Sequence, residues 1–256
     1  MADLLLGQAY YLRFDPKLFQ AQQPYAPLGT LYAASYLRER GHSVALFDAM
    51  LAESVAEWGA AIEQQRPRLA AIYEDSFNYL SKMCLLRMRE AALEMIDHAV
   101  RARVPIVVSG SDATDHPELY LRRGAAAVII GEGEITIADL VDRLLVNASI
   151  EDVPGIAYLD EVCAVRRTST RPFIKSLDDL PFPAWDLVDI DRYRAIWYGR
   201  HGYHSMNIAS TRGCPYHCNW CAKPIYGQRY ATRSPESVVE EIAWLKDHFD
   251  PHHLWL

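Results

Sequence analysis

The first 145 residues alternate short apolar runs with longer segments of helical periodicity. Five apolar runs predict strands, in residues 3–9, 43–49, 68–75, 104–110 and 125–134. Amphipathic segments between them predict helices, such as PLGTLYAASYLRERG with Pro27 near its start and Gly41 just beyond its end. Apolar strands separated by amphipathic helices are typical of a parallel sheet covered on both faces. Residues 1–147 are therefore expected to form a doubly wound, Rossmann-like α/β domain with a five-stranded parallel sheet.

The periodicity changes after this domain. Residues 148–204 begin with a short hairpin pattern and continue with the proline- and aspartate-rich stretch SLDDLPFPAWDLVDIDRYR, so we expect a connecting segment there. In residues 205–256, MNIAST predicts a strand and SPESVVEEIAWLKDHF predicts a helix, with Ser234 as its N-cap and Pro235 at its first position. HHLWL predicts a further strand. The last segment is therefore expected to be a βα unit.

Composition narrows the function classes. Half of the 256 residues are hydrophobic, which is enough for an ordinary core, and the net charge of -7 with scattered arginines disfavours a nucleic-acid partner. No segment approaches the roughly 20 apolar residues of a membrane-spanning helix, and the N-terminus has no basic region of a signal peptide. We therefore expect a cytoplasmic protein. Five cysteines suit a metal or redox site in a reducing compartment better than disulfides, and the isolated Cys84 and Cys163 are expected to be packing residues.

The other three cysteines form a C-x3-C-x2-C motif at Cys214, Cys218 and Cys221, in a loop between a strand and a helix. Thiolates bind soft metals, and three of them this close in sequence can converge on one site. A structural zinc site needs four ligands; His204 and His217 are nearby, but there is no second cysteine pair. A plant-type two-iron cluster also needs a fourth cysteine. Zinc remains the alternative to a four-iron cluster in which three cysteines leave one iron open.

The segment TRGCPYHCNWC resembles the radical S-adenosylmethionine (SAM) enzymes, in which an aromatic residue precedes the last cysteine of this motif. Trp220 occupies that place. The resemblance implies that Cys214, Cys218 and Cys221 bind a [4Fe-4S] cluster at the start of a partial (β/α) barrel. It also implies that the open iron binds SAM, with Trp220 on the adenine side, and that reductive cleavage yields a 5′-deoxyadenosyl radical. A flavodoxin or ferredoxin is the expected reductant.

Three further segments resemble the cobalamin-binding radical SAM enzymes, a group that includes hopanoid methylases and the anaerobic magnesium-protoporphyrin ester cyclase. These segments are YAPLGTLYAASYLRERGHSVALFDA, SGSDATDHPELYLRRGAAAVIIGEGE and SLDDLPFPAWDL. The resemblance implies a corrin across the carboxyl ends of the strands, where open α/β sheets bind ligands. The expected cobalamin contacts are small or polar residues after strands three, four and five: Ser76, Ser109, Gly110, Ser111, Gly131, Glu132 and Gly133. Each glycine could instead serve a turn, and Tyr10 and Tyr11 could line the corrin or anchor their loop.

The resemblance implies methylation of an unactivated carbon in a small-molecule substrate. A radical cyclase or oxidoreductase is the alternative within the class, and a non-catalytic corrinoid-binding module is the alternative outside it. The related tRNA methylthiotransferases carry three further cluster cysteines, whereas only Cys84 and Cys163 precede the motif here. A barrel of about six βα units needs on the order of 200 residues, and only 50 follow Met206. The chain is therefore expected to be an inactive fragment of a longer enzyme.

Overall fold

The computed structural model describes residues 2–75, 85–219 and 225–256. Its main element is a seven-stranded sheet with the strand order β2-β1-β3-β4-β5-β6-β7. The first five strands are parallel, and the last two add to the sheet in antiparallel orientation. The strands are β1 (Leu4–Gly7), β2 (Val44–Phe47), β3 (Leu69–Tyr73), β4 (Ile106–Ser109), β5 (Ala127–Ile129), β6 (Ile156–Leu159) and β7 (Val165–Arg167).

Helices cover both faces of this sheet and continue into the C-terminal unit. Within the described residues they are α1 (Pro16–Ala21), α2 (Leu28–Glu39), α3 (Ala56–Gln65), α4 (Leu85–Arg101), α5 (Ser111–Asp115), α6 (Pro117–Arg123), α7 (Glu134–Leu144), α8 (Ile190–His201) and α9 (Pro235–Phe249). The five predicted parallel strands and the helices between them confirm the doubly wound α/β fold. Its strand order reverses between β1 and β3, where the chain leaves one side of the sheet for the other.

Successive strand residues face opposite sides of the sheet and build two separate cores. Leu5, Ile72 and Val108 pack on one side with the fully buried Trp58, whereas Leu4, Leu69 and Val107 pack on the other. Burial on both faces explains why the strands are continuous apolar runs and do not alternate with polar residues.

The predicted hairpin forms, and it belongs to the sheet. β6 pairs antiparallel with β5 through Ala157 opposite Val128 and Ile156 opposite Ile129, and β7 pairs with β6. A parallel edge strand would otherwise expose a row of unpaired backbone groups, which the hairpin satisfies. The sheet therefore extends beyond residue 147 and into the expected connecting segment.

The connecting segment also contains a helix that the sequence analysis does not predict. In α8 (Ile190–His201), Asp189 caps the N-terminus by accepting a hydrogen bond from the Arg192 amide. Ile190, Tyr193 and Trp197 are buried. Their spacing of three and four residues is a helical signal, but charged residues surround it and only one side chain per turn is buried.

The C-terminal unit has the predicted βα arrangement. β8 (Ser205–Asn207) pairs in parallel with β11 (His253–Trp255), and α9 lies between them in the chain. Ser234 is the predicted N-cap of α9, because its hydroxyl accepts a hydrogen bond from the Ser237 amide at 3.1 Å. A third core cluster joins this unit to the sheet domain through residues that include Leu31, Met50, Trp185, Met206 and Leu245.

The position of His204 in this packing leads to a stability prediction. The side chain is 1% exposed, and burial, Arg194 and His252 lower its pKa to about 4. As pH falls below 6.5, the unfolded chain gains a proton that the folded chain does not take up, so the free energy of unfolding should decrease by up to about 3 kcal/mol by pH 4. Urea unfolding at pH 4 to 7, followed by tryptophan fluorescence, measures this loss.

His204→Gln should remove that part of the pH dependence. The same substitution at the exposed His217 is the matched control. An unchanged slope in His204→Gln between pH 6.5 and 4 would show that His204 does not carry the effect.

Candidate cofactor site at the carboxyl edge of the sheet

Two acidic residues mark the carboxyl edge of the sheet where the strand order reverses. Glu74 and Asp75 follow β3 directly. Glu74 Oε1 accepts a hydrogen bond from the Ala9 amide at 3.0 Å, just beyond the end of β1. Asp75 Oδ1 accepts one from the Gly29 amide at 3.0 Å, in the first turn of α2. The two carboxylates therefore organise the crevice in which open α/β sheets bind ligands.

The polar groups of this edge suit a large, uncharged, amide-rich ligand such as a corrinoid. Burial, Asp75 and Asp112 raise the pKa of Glu74 to about 7, so about half of the carboxyl groups are protonated and able to donate a hydrogen bond at neutral pH. Gln8 is buried after β1, and its Nε2 has no hydrogen-bond partner within the described residues. A corrin carries peripheral amides that accept and donate hydrogen bonds, so neutral donors fit it better than fixed charges.

Most of the predicted corrinoid contacts lie at this edge. Ser109 ends β4 and is buried, and Gly110 and Ser111 lead into α5. An ideal Cβ on Gly110 would lie 2.7 Å from Glu74 Cγ. Gly110 therefore allows the Glu74 side chain to lie against the backbone, and its small size has a packing role whatever binds above it.

The loop after β5 is equally tightly packed. An ideal Cβ on Gly133 would lie 2.7 Å from the Tyr73 hydroxyl, and one on Gly131 would lie 3.4 Å from the Ile225 carbonyl oxygen. Gly131 also has a φ of +82°, a conformation that favours glycine. The Gly131 backbone therefore lies close to Ile225, which belongs to the described C-terminal part of the cysteine loop (residues 214–229).

Arg212 joins the two loops through ion pairs. Its Nη1 donates to Glu132 Oε1 and its Nη2 donates to Glu134 Oε1, both at 2.7 Å. All three side chains are at most 7% exposed. Glu132 Oε2 also accepts a hydrogen bond from the Ile174 amide at 2.7 Å. Both carboxylate oxygens of Glu132 therefore have partners within the chain. A contact between Glu132 and a corrinoid stays a prediction.

The positive charge of Arg212 offsets the repulsion between the buried carboxylates of Glu132 and Glu134. Burial and the neighbouring Glu134 carboxylate raise the pKa of Glu132, and the Arg212 guanidinium opposes that shift. The guanidinium also lies 5.5 Å from the Tyr32 ring centroid in α2 and 5.7 Å from that of Tyr226 in the cysteine loop. One cation therefore contacts a helix of the sheet domain, the loop after β5 and the cysteine loop.

A small hairpin closes the cysteine loop. β9 (Thr211–Gly213) pairs antiparallel with β10 (Tyr230–Thr232), and the Cys214 amide donates to the Arg229 carbonyl at 2.8 Å. Cys214 is partly buried and Cys218 is exposed. No group of three potential metal ligands is found within the described ranges. The predicted site residues that lie outside them are Ser76, Trp220 and Cys221, and the predicted packing residue Cys84 also lies outside them.

Sequence reasoning missed the ionic network. Arg212, Glu134 and the second buried pair, Arg233 with Glu241, were not predicted as site residues. The available signal was weak: Arg212 stands two residues before the first motif cysteine, and Glu134 ends the GEGE run. Tyr10 and Tyr11 are buried in the cores, which supports their role as loop anchors.

Comparisons with known proteins agree with this architecture. Residues 18–141 match the B12-binding domain family. An uncharacterized methyltransferase of Pyrococcus horikoshii is 29% identical over 223 residues, covering 86% of this chain and 45% of that protein. The anaerobic magnesium-protoporphyrin IX monomethyl ester cyclase of Synechocystis sp. is 30% identical over 226 residues, covering 86% of this chain and 42% of that protein.

A solved structure shows the same fold over nearly the whole chain. The cobalamin-dependent S-adenosylmethionine radical enzyme OxsB, with aqua-cobalamin and S-adenosylmethionine bound, superposes with a TM-score of 0.75 at 20% identity. The match covers 99% of this chain and 33% of that one. The chain thus spans less than half the length of each of these three proteins.

The fold and its edge define an α/β ligand-binding domain of the B12 type, joined to a βα unit that carries a cysteine motif. Residues 18–141 match the B12-binding domain family, and the chain as a whole is similar in sequence to a methyltransferase and a cyclase and in fold to a cobalamin-dependent radical SAM enzyme. In the described ranges, no helix combines the length and the apolar composition needed to cross a membrane.

The close contact between Gly133 and Tyr73 predicts a stability effect. Gly133→Ala would place a methyl group 2.7 Å from a hydroxyl on a buried ring, so the ring or the loop must shift. We expect destabilisation by about 1–3 kcal/mol, the usual cost of overpacking. Urea unfolding followed by circular dichroism measures it.

Gly199→Ala is the matched control, because Gly199 lies in α8 with no atom within 4 Å of an ideal Cβ. That substitution should stabilise the chain by about 0.5–1 kcal/mol, as alanine does in a helix. Equal effects of the two substitutions would contradict the packing role of Gly133.

Glu74 should make the stability depend on pH near neutrality. Its pKa is about 7 in the folded chain, compared with an ordinary value of 4.5 for a solvated glutamate. The folded chain therefore holds a proton that the unfolded chain loses, so the stabilisation is complete below pH 4.5 and disappears as pH rises through 7. Glu74→Gln should flatten the loss of unfolding free energy between pH 5 and 7.5 in urea titrations.

Glu63→Gln, at an exposed position on α3, is the control for this change. If Glu74→Gln and the native chain lost the same free energy over this range, the proton would not reside on Glu74.

Proposed function

We propose that this chain forms the cobalamin- and cluster-binding part of a radical SAM enzyme that methylates an unactivated carbon. One observation carries the proposal: the ion pairs from Arg212 to Glu132 and Glu134 place the cysteine loop against the carboxyl edge of the B12-type sheet. This arrangement supports a proposal in which the two cofactor sites adjoin each other. A reaction that uses both cofactors on one substrate needs this proximity.

The residues at each site suit the chemistry expected there. Cys214, Cys218 and Cys221 would hold the cluster, since thiolates are the soft ligands that iron–sulfur clusters use. Glu74, Gln8 and the loops after β4 and β5 would hold the corrinoid through neutral hydrogen bonds and close backbone packing. When bound, the cluster supplies an electron for SAM cleavage and the corrinoid supplies a methyl group.

The protein's own contribution is to position these groups and to exclude water. The β9–β10 pairing closes the base of the cysteine loop, and Tyr226 in that loop packs beside the Arg212 guanidinium. Burial of Arg212, Glu132 and Glu134 keeps the boundary between the cysteine loop and the sheet domain rigid, because a movement there would expose or separate three charges. A flavodoxin or ferredoxin is the reductant that we propose.

A cyclase is the second candidate. The relative that is 30% identical to this chain is named as a cyclase, whereas the relative that is 29% identical is named as a methyltransferase. The same two cofactor sites would serve either reaction. If the enzyme is a cyclase, the corrinoid would still bind at the carboxyl edge of the sheet, but no methyl group would be transferred to the product.

Metal analysis of the reconstituted chain tests the proposal. Anaerobic reconstitution with iron, sulfide and hydroxocobalamin should give about one cobalt and four irons per chain, as a single four-iron cluster requires. The Cys214→Ala/Cys218→Ala/Cys221→Ala variant should lose the iron and keep the cobalt, because the proposed corrinoid contacts lie in the sheet domain.

Cys163 is exposed, so the prediction that it is a packing residue is wrong. Cys163→Ala is the control, because this thiol is remote in sequence from the motif. Its iron and cobalt contents should equal those of the native chain. Absence of cobalt from the native chain would refute the corrinoid site, and zinc in place of iron would refute the radical mechanism.

A further inference from the structure

Arg212 lies at the boundary between the sheet domain and the C-terminal unit. It lies on β9, and Cys214 follows two residues later. Its guanidinium reaches across to Glu132 and Glu134, which flank Gly133 in the loop after β5. A movement of the cysteine loop relative to the sheet must therefore break these charged hydrogen bonds or move the β5 loop with it.

The geometry of these bonds fixes orientation as well as distance. Each of two guanidinium nitrogens donates to a different carboxylate at 2.7 Å, so the planar group is held at two points. A lysine ammonium has three donors and could contact both carboxylates, but it has no plane and would not fix their relative orientation. The rings of Tyr32 and Tyr226 lie near the guanidinium carbon, at 5.5 and 5.7 Å.

Burial makes the arrangement rigid. The Arg212 side chain is 4% exposed, and those of Glu132 and Glu134 are 7% and 3% exposed. Water cannot easily replace a broken contact here, so separating the charges is far more costly than at a surface. The Ile225 carbonyl oxygen, 3.4 Å from the position of an ideal Cβ on Gly131, lies along the same boundary.

We propose that Arg212 is a positioning residue, which sets the separation between the cluster held by the cysteine loop and the corrinoid held at the carboxyl edge of the sheet. This inference rests on the function proposed above. Arg212 contacts neither cofactor in this role. It acts through Glu132 and Glu134, which transmit the position of the β5 loop to the cysteine loop.

Electron paramagnetic resonance measures the separation directly. Cobalt(II) in the corrinoid and the reduced cluster each carry unpaired spin. The cluster accelerates relaxation of the cobalt signal, and this relaxation enhancement decreases steeply as the distance between the two centres increases. In the reconstituted 256-residue chain, Arg212→Met should retain cobalt and iron but lose most of this relaxation enhancement. Arg212→Lys should restore part of it, because the ammonium restores the positive charge without the planar two-point geometry.

Arg200→Met is the matched control, since Arg200 is exposed on α8 and makes no ion pair within the described residues. It should leave the relaxation enhancement unchanged. If Arg212→Met does not fold, Glu132→Gln replaces it, because that variant removes one carboxylate charge and keeps the pair between Arg212 and Glu134. Native relaxation enhancement in Arg212→Met, or in Glu132→Gln where it stands in, would overturn the proposal.

Hydrogen exchange on the cofactor-free chain separates this inference from the proposed function. The Ile174 amide donates to Glu132 and the Cys214 amide donates to Arg229, so both should exchange faster in Arg212→Met. The amide of Ile96, in the core helix α4, should keep its native rate. Unchanged exchange at Ile174 and Cys214 would refute the positioning role, whereas absence of cobalt or iron from the native chain would refute the proposed function alone.

Discussion

A single guanidinium buried between two carboxylates ties the C-terminal unit to the sheet domain. Arg212 comes from one unit, and Glu132 and Glu134 come from the other. A charge is buried at little net cost only when its partners are fixed in good geometry, so each unit depends on the other for a stable arrangement. This mutual dependence fixes the boundary formed by Arg212, Glu132 and Glu134 between the two units.

A second buried pair supports the same boundary. Arg233 and Glu241 pair within the C-terminal unit, and the Arg233 guanidinium also donates to the Tyr32 hydroxyl of α2 at 3.2 Å. Tyr32 therefore contacts Arg212 through its ring and Arg233 through its hydroxyl. Its apolar body packs in the interface while its hydroxyl accepts a charged hydrogen bond, which is a common use of tyrosine at partly polar boundaries.

The sequence predicted the strands and helix starts whose signals are local in the chain. Continuous apolar runs such as the one around Leu69 predict buried parallel strands, and Ser234 before Pro235 predicts a helix start. Sequence reasoning failed for α8, whose buried Tyr193 and Trp197 are surrounded by charges, because burial there comes from contacts distant in sequence. The roles of the glycines after β4 and β5 also required the side chains that pack against them.

The sequence by itself determined the doubly wound fold and the cysteine motif, because strand burial and close ligand spacing are local properties of the chain. Only the tertiary structure decided that the hairpin extends the sheet and that the loop after β5 meets the cysteine loop. Arg212 and Glu132 are 80 residues apart. No local pattern distinguishes a buried ion pair over such a separation from two solvated charges, since only the folded chain removes the water between them.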